Sequence, residues 1–395
     1  MASFLNLARM TTATTGTGTI TLGAAVSGYL SFADAGAADG KIYRYGIKDG
    51  AASEAGYGTY TTAGTTFTRT VRTSTNSNNA INLSGTAEIF ITALAEDFLN
   101  VSPPQGRLTL ATGVPVMTTT QSAKTTLYYT PYVGQLVPLY DGTSFNMVDI
   151  GAELSVATTD TTKNPAAIGA SKVNDWYVWN DAGTIRLSHG VDWTSDTARN
   201  TTNTLTNGIY LNTSAITNGP AALRGTYVGT TRSNASSQLD WIFGAVAANG
   251  TAGFFGLWNM YNRVHVVSFL GDNTNSWTYA TATWRAANGS ATMRHTLVRG
   301  YDEDGVIATY ICLTTVSGSN SYSGVGLDTT TNFTGTSGLS NNTATTLPSS
   351  GYAGLPGVGV HYFSANEYSS GATTTFYGDI GGTLVQTGLQ IGFAA

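Results

Sequence analysis

The sequence DWYVWNDAGTIRLS at residues 175–188 decides the fold class. Its two ends, residues 175–179 and 184–188, are rich in the β-branched and aromatic side chains that favour strands. Between them lies Asn-Asp-Ala-Gly, and Asn, Asp and Gly tolerate the positive φ of a tight turn. The stretch therefore predicts a β-hairpin whose first strand is aromatic.

Turn signals of the same kind recur along the whole chain. Eight Asp-Gly or Asn-Gly dipeptides separate short segments of strand character, at residues 39–40, 49–50, 141–142, 207–208, 218–219, 249–250, 288–289 and 304–305. The longest candidate strands lie near the C-terminus, at residues 263–269, 292–299, 307–316, 358–363 and 384–393. Only residues 93–99 have a pattern compatible with a helix. The predicted fold class is all-β, in several domains.

The composition excludes several classes of protein. Of the 395 residues 10% are charged, where about 25% is usual for a globular domain, and the formal net charge is -5. The sequence contains no tract of clustered Lys and Arg, which argues against a nucleic-acid-binding protein. The longest apolar stretch, residues 241–248, is shorter than the roughly 18 to 20 residues of a spanning helix. A hydrophobic fraction of 41% argues against disorder.

Breaks in the strand pattern suggest three domains. Pro103-Pro104 ends the first run of strands, because proline disfavours both helix and central strand. The predicted domains are an N-terminal module at residues 1–102, a middle domain at 103–237 and a C-terminal β-sandwich at 238–395. Residues 317–350 are almost wholly Ser, Thr, Asn and Gly, so we expect a long loop there, either functional or disordered.

Short motifs rich in Gly, Thr and Tyr carry a resemblance to a known group of proteins. In the first quarter of the chain they are TGTGTITLG (15–23), GYLSF (28–32), YGIKDG (45–50), GYGTYTT (56–62) and GTTFTRT (64–70). In the middle segment they are GRLTL (106–110), YYTPY (128–132), YDG (140–142), TIRL (184–187) and RGTYVG (224–229). Together they resemble modules of tailed-bacteriophage fibre and virion-surface proteins, over about the first 235 residues.

The resemblance implies a structural virion protein. Its N-terminal part would contact other virion proteins and fix the chain to the particle, while its C-terminal part projects. Fibres of this group are homotrimers, so we expect a homotrimer, and residues 238–395 are loosely similar to trimeric jelly-roll tips. The low charge supports this expectation independently, because the cores of protein interfaces are depleted in charged residues. Residues 1–9 show no signal-peptide pattern, so we expect synthesis in the host cytoplasm and a final location in the virion, on tail or capsid.

Candidate sites are few. Cys312 lies among apolar neighbours, so we predict that it is buried and packs as a small hydrophobic residue. His189, His265, His295 and His361 lack metal-ligand spacing, and His265 shares a strand face with Val267 and Phe269. The acidic run Asp302-Glu303-Asp304-Gly305 predicts a solvated hairpin turn, and catalysis or calcium binding are the alternatives.

Aromatic residues form the most plausible functional surface. Aromatic rings stack on the apolar faces of sugars, although most tryptophans of a β-sandwich fill its core. Trp277 is the best exception, because residues 271–276 before it are loop-like. The candidate receptor-binding residues are Trp258, Tyr261, Trp277, Tyr279 and Trp284.

The expected function is non-covalent recognition of a host-surface glycan or protein by a tail fibre or spike subunit, with several weak tips combining into strong adhesion. The alternatives are a capsid-attached head fibre or decoration protein, a glycan depolymerase, which needs two carboxylates in a groove, and a bacterial surface adhesin. We expect no catalytic residue, cofactor or bound metal, no nucleic-acid partner and no membrane insertion.

Overall fold

The computed structural model describes residues 4–94, 102–341 and 345–395. These residues form 37 strands and one 3₁₀ turn at Ala287–Gly289, which confirms the all-β prediction. The chain divides into two compact units, Met1–Asn100 and Val101–Ala395. The stretch expected to be compatible with a helix, residues 93–99, lies mostly outside the described residues.

The first unit is built on one main sheet. Its strands, numbered in chain order, are β1 Arg9–Thr12, β2 Thr15–Gly16, β3 Ile20–Thr21, β4 Ile42–Asp49, β5 Ala52–Thr61, β6 Thr66–Phe67, β7 Thr70–Ser74, β8 Leu83–Ser84 and β9 Ala87–Ile91. The sheet order is β1-β9-β4-β5-β6-β3, with β7 also paired to β5, while β2 pairs with β8. Because side chains alternate along a strand, Tyr43, Tyr45 and Ile47 of β4 all enter the core.

The second unit contains the remaining strands. They are β10 Gly106–Thr109, β11 Gln121–Lys124, β12 Thr126–Pro131, β13 Leu136–Tyr140, β14 Phe145–Asp149, β15 Leu154–Ala157, β16 Val173–Asp181, β17 Thr184–His189, β18 Asn203–Thr206, β19 Ile209–Asn212, β20 Thr226–Arg232, β21 Leu239–Ile242, β22 Val246–Ala247, β23 Gly253–Phe255, β24 Leu257–Asn259, β25 His265–Asp272, β26 Trp277–Tyr279, β27 Arg285–Ala286, β28 Arg294–Arg299, β29 Val306–Ile311, β30 Leu313–Val316, β31 Asn320–Leu327, β32 Ser337–Asn341, β33 Thr345–Thr346, β34 Ser349–Gly354, β35 Gly359–Ser369, β36 Thr374–Tyr377 and β37 Gly388–Ala394.

The predicted hairpin at residues 175–188 is confirmed. Strands β16 and β17 pair antiparallel from Trp176 opposite His189 to Asp181 opposite Thr184. The turn is the dipeptide Ala182-Gly183, with φ of 49° and 99°. Positive φ at both central residues gives the turn the twist that flanking strands need. The hairpin belongs to a sheet of order β17-β16-β20-β19-β18, in which β24 also pairs with β20.

Strands from either side of residue 237 share sheets. β11 pairs with β21, and β20 pairs with β24, so the predicted boundary between a middle and a C-terminal domain lies inside the second unit. The largest sheet has the order β11-β21-β23-β28-β35-β31-β32, with β27 also on β35. Smaller sheets are β10-β12-β15 and β13-β14.

Two further sheets complete the second unit, with orders β22-β25-β37-β29-β34 and β26-β36-β30-β33. Rings from the five-stranded sheet meet rings from the largest sheet in one core. Phe393 lies 4.9 Å from Phe255, and Tyr352 lies 5.2 Å from Phe363, between ring centroids. The two sheets therefore pack on each other; a jelly-roll arrangement of them stays a prediction.

The expected long loop at residues 317–350 is wrong. The segment holds β31, β32, β33 and the start of β34, and β31 pairs with β35 from Ser321 to Leu327. Ser321 and Ser323 are almost fully buried there. Small hydroxyl side chains fit between neighbouring strands, so a polar composition does not by itself indicate a loop.

The expected strand at residues 307–316 is divided in two. Tyr310 and Ile311 end β29 in the five-stranded sheet, and Leu313 begins β30 in the four-stranded sheet. Cys312 lies between them with none of its surface exposed, which confirms the prediction of a buried cysteine. Burial raises the pKa of its thiol to about 12.

Candidate functional site

The structure separates the five candidate aromatic residues. Trp258 lies in β24 and is fully buried, so its ring offers no face to a ligand, and its place in the candidate surface is a correction to the sequence prediction. The guanidinium of Arg263 covers the indole at 5.2 Å. Tyr261 is half-buried beside it, and its hydroxyl accepts a hydrogen bond from the backbone N–H of Tyr210 at 3.2 Å. Both residues belong to the core side of the second unit.

Trp277, Tyr279 and Trp284 remain half-buried at the surface. Trp277 and Tyr279 belong to β26, which pairs with β36 so that Trp277 faces Phe376 across the strands. The two rings stack with centroids 5.9 Å apart and an interplanar angle of 8°. Phe376 therefore covers part of the indole, and Trp277 as a whole is partly exposed.

A buried carboxylate anchors these aromatic residues. Glu367 of β35 has no exposed surface, and its Oε2 accepts a hydrogen bond from Trp277 Nε1 at 2.8 Å. Oε1 accepts from Arg285 Nε at 2.7 Å. The backbone N–H of Asn288 adds a third donor at 3.2 Å. We call Trp277, Tyr279, Arg285, Asn288 and Glu367 the Glu367 cluster.

Local structure explains how this cluster forms. β27 pairs with β35, which places Arg285 directly opposite Glu367. The Asn-Gly turn expected at residues 288–289 follows β27, and Asn288 has a φ of 54°. This conformation turns the Asn288 N–H toward Glu367 and its side-chain amide toward Asp272, which accepts a hydrogen bond from it at 2.9 Å. Asn tolerates this region of φ better than most residues do.

Arg285 links the buried carboxylate to the surface. Its guanidinium lies 3.9 Å from the centroid of the Tyr279 ring, a cation–π contact, and its side chain is 33% exposed. The Tyr279 hydroxyl donates to the carbonyl oxygen of Thr283 at 2.9 Å, which holds the loop before β27. Trp284 packs against Phe333 and Tyr368, with centroids 5.1 Å and 5.5 Å away.

Burial raises the pKa of Glu367, against the lowering effect of Trp277 and Arg285. Asp272 is also fully buried and accepts from the backbone N–H groups of Asn249 and Thr274. Both carboxylates are thus occupied by donors from the chain itself. Chemically the cluster offers a rigid indole face and a guanidinium edge, which suit a neutral or polar ligand that stacks and accepts hydrogen bonds.

The acidic run at residues 302–304 is neutralised by arginines. Arg263 pairs with Glu303 at 2.9 Å and with Asp304 at 2.7 Å, and Arg299 lies 3.4 Å from Asp302. The run connects β28 of the largest sheet to β29 of the five-stranded sheet, so the expected hairpin is wrong, because the two strands do not pair. Across the described ranges, no group of three or more His, Cys, Asp or Glu side chains is arranged to hold a metal ion.

Sequence reasoning missed Arg285 and Glu367. They are 82 positions apart, and only the pairing of β27 with β35 brings them together. One signal existed: Phe363, Ala365 and Glu367 follow the two-residue period of a strand, so a carboxylate occupies a core-facing position. A buried acid in such a position requires a partner.

In the part of the chain that the structure describes, no helix is both long and apolar enough to cross a membrane. The chain matches no protein-family model. No curated protein matches it either.

Proposed function

We propose that the chain is a tail fibre or spike subunit of a bacteriophage that projects from the virion and binds a host-surface receptor without cleaving it. The motif resemblance over about the first 235 residues and the all-β fold support the class of protein. The receptor-binding role rests on one observation, the partly exposed Trp277, whose side chain is held rigid by Phe376 and by the buried Glu367. A preorganised aromatic face loses little conformational entropy on binding.

Binding rather than hydrolysis is proposed because the nearby carboxylates are buried and hydrogen-bonded. Hydrolysis of a glycosidic bond needs two carboxyl groups that reach the substrate. Glu367 and Asp272 are fully buried and hydrogen-bonded within the chain. Incubation with bacterial surface polysaccharides should leave their chain length unchanged, and shortening of any of them would contradict the proposal in favour of a depolymerase.

The binding test uses purified protein and an immobilised panel of bacterial surface polysaccharides and outer-membrane proteins. Tyr279→Ala and Trp277→Ala should each lower retention on the receptor. The matched control is Tyr128→Ala, since Tyr128 is also a half-buried tyrosine of the second unit but lies on β12. Unchanged retention with both cluster variants, in proteins with native circular dichroism, would remove this surface as the receptor site.

Self-association is the second part of the proposal, supported by an uncharged face of the five-stranded sheet. Val267, Phe269, Ile307 and Ile311 are 40% to 61% exposed on it. Val267 and Ile307 flank Gly392 in one row across the strands. Apart from the buried Asp272, the five strands contain no Asp, Glu, Lys or Arg. A group of exposed apolar side chains on a face without Asp, Glu, Lys or Arg is typical of a surface covered by another subunit.

Light scattering tests the predicted homotrimer. We expect a native mass of about three times the 41.1 kDa of the chain. Ile307→Lys should lower that mass, because a charge in an apolar interface must be desolvated. Leu205→Lys is the matched control, since Leu205 is 57% exposed on β18 of another sheet. A mass near that of one chain for the unaltered protein would contradict the trimer.

A further inference from the structure

The exposed face of the five-stranded sheet carries one titratable side chain, and it lies among apolar residues. His265 begins β25, and the alternation of that strand places it on the same exposed face as Val267 and Phe269. The five strands, all of them described by the structure, contain no other histidine, and their Tyr310 and Tyr352 are buried. A change of pH therefore acts on this face through His265.

The imidazole leans along the sheet. A Cβ atom placed on Gly392 of the neighbouring strand β37 would lie 3.2 Å from His265 Nε2 and 3.4 Å from its Cε1. Gly392 is itself flanked by Val267 on one side and by Ile307 on the other. A subunit that covers these two exposed apolar side chains would therefore also cover the imidazole.

A groove beside His265 extends the apolar surface. It has a volume of about 210 Å³ and is lined by His265 and Val267 together with Val116, Met117 and Phe243. The last three side chains are partly exposed. His265 thus has apolar surface around it, and it does not mark the polar rim of the face.

Charged groups near His265 are few, and each already has partners. Arg107 is the one charged residue that lines the groove; it is 4% exposed and donates three hydrogen bonds to backbone carbonyl oxygens. Arg263, two positions before His265, pairs with Glu303 and Asp304. Within the described ranges, no carboxylate lies within 4.0 Å of the imidazole. A protonated His265 would have no anion to pair with on its own subunit.

The other three histidines of the chain are buried. His189, His295 and His361 are 2%, 0% and 7% exposed. Burial lowers the pKa of His189, and it lowers the pKa of His295 to about 4. His361 lies in the largest sheet and contacts Asp328 at 2.7 Å. Exposure on the apolar face therefore distinguishes His265 from the rest.

We infer that His265 makes the self-association of this chain sensitive to pH, with assembly at neutral pH and dissociation in mild acid. This regulation rests on the proposed association through the same face. Histidine gains its charge between about pH 8 and pH 5. Covering a charged imidazole with apolar surface costs desolvation free energy, so the covered state favours the neutral form. The stability of the assembly is therefore greatest above this range and is lost as the pH falls.

Light scattering at several protein concentrations gives the midpoint concentration for dissociation, at about pH 8 and at about pH 5.5. Three histidines take up protons when a trimer dissociates, and each changes the equilibrium constant by up to about tenfold per pH unit. We expect the midpoint concentration to rise at least about tenfold in acid. Repulsion between subunits predicts the opposite direction, because acid reduces the net charge of -5.

Two neutral variants, His265→Gln and His265→Asn, should stay assembled at both pH values, since neither side chain gains a charge. His265→Lys should lower the native mass at both, because it keeps a charge on the face. The matched control is His361→Gln, which removes a histidine from the largest sheet and should retain the pH dependence of the unaltered chain. Native circular dichroism is required of every variant at each pH.

The possible results separate this regulation from the trimer itself. A mass near that of one chain at pH 8 contradicts the trimer and the role of His265 together. Three results overturn the role of His265 alone and leave the trimer standing: equal association at both pH values, stronger association in acid, or an unchanged pH dependence in the folded neutral variants.

Discussion

Replacing Trp277 by Phe removes one N–H donor from the buried carboxylate of Glu367 while keeping an aromatic ring on Phe376. A hydrogen bond to a charged group contributes about 1.5–3 kcal/mol to stability, and a buried acceptor that loses its donor incurs the full desolvation cost. Glu367 would retain Arg285 and the longer contact from Asn288. We therefore expect Trp277→Phe to lower the free energy of unfolding of the second unit by about 1.5–3 kcal/mol at neutral pH.

The loss should depend on pH. Burial raises the pKa of Glu367 above its ordinary value of 4.5, so the folded protein binds this proton more tightly than the unfolded chain does. The stability linked to that proton is present below pH 4.5 and is lost as the pH rises through the pKa of the folded state. Removing the Trp277 donor raises this pKa further. The difference between Trp277→Phe and the unaltered protein should grow from about pH 4 to about pH 8.

Tryptophan fluorescence during urea unfolding is a suitable assay, because all seven tryptophans lie at residue 176 or later and report on the second unit. Protein concentration is held constant, since association would shift the midpoint. Trp284→Phe is the control: the Trp284 ring contacts Phe333 and Tyr368, and within the described residues its side chain makes no hydrogen bond. Equal losses for both variants at both pH values would refute the role assigned to the Trp277 N–H.

Three other substitutions or reactions test the first unit and the core. Gly58→Ala should destabilise the first unit by about 1–3 kcal/mol, because a Cβ atom there overlaps the neighbouring strand. The measurement is thermal unfolding followed by circular dichroism. In the control variant Gly18→Ala the new Cβ enters open space, so its stability should be nearly unchanged. Arg69→Met leaves the fully buried Glu54 unpaired and should cost about 3–5 kcal/mol by the same measurement; a cost below about 1 kcal/mol would contradict a structural role for the pair. Burial raises the pKa of Cys312 to about 12, so a thiol reagent at about pH 8 should label it only after unfolding, as mass spectrometry would show.

Part of the fold was predictable because its signals are local. The hairpin at residues 175–188 follows from strand propensity and from Gly183 in its turn, and the buried Cys312 follows from its apolar neighbours. The segment at residues 317–350 was not predictable in this way. Ser321 and Ser323 are buried where β31 pairs with β35, a strand whose first residue lies nine positions beyond the segment.

The candidate site, like the fold, was predictable from the sequence only in part. Sequence alone identified Trp277 as the best exception to core packing, because residues 271–276 before it are loop-like, but it kept Trp258 in the same set of candidate residues. The structure buries Trp258 in β24 and leaves Trp277 at the surface, since exposure depends on which sheet covers a strand. Arg285 became a neighbour of Glu367 only through long-range strand pairing.

The sequence by itself determined that this protein is built from β-strands joined by tight turns, and that little charge is available for its surfaces, because strand period, turn chemistry and composition act over a few residues. Tertiary structure alone decided which faces are covered. It neutralised the acids at residues 302–304 with Arg263 and Arg299, and it left a face of the five-stranded sheet exposed that carries no Asp, Glu, Lys or Arg. Those outcomes depend on contacts between residues far apart in the chain, which local preferences do not specify.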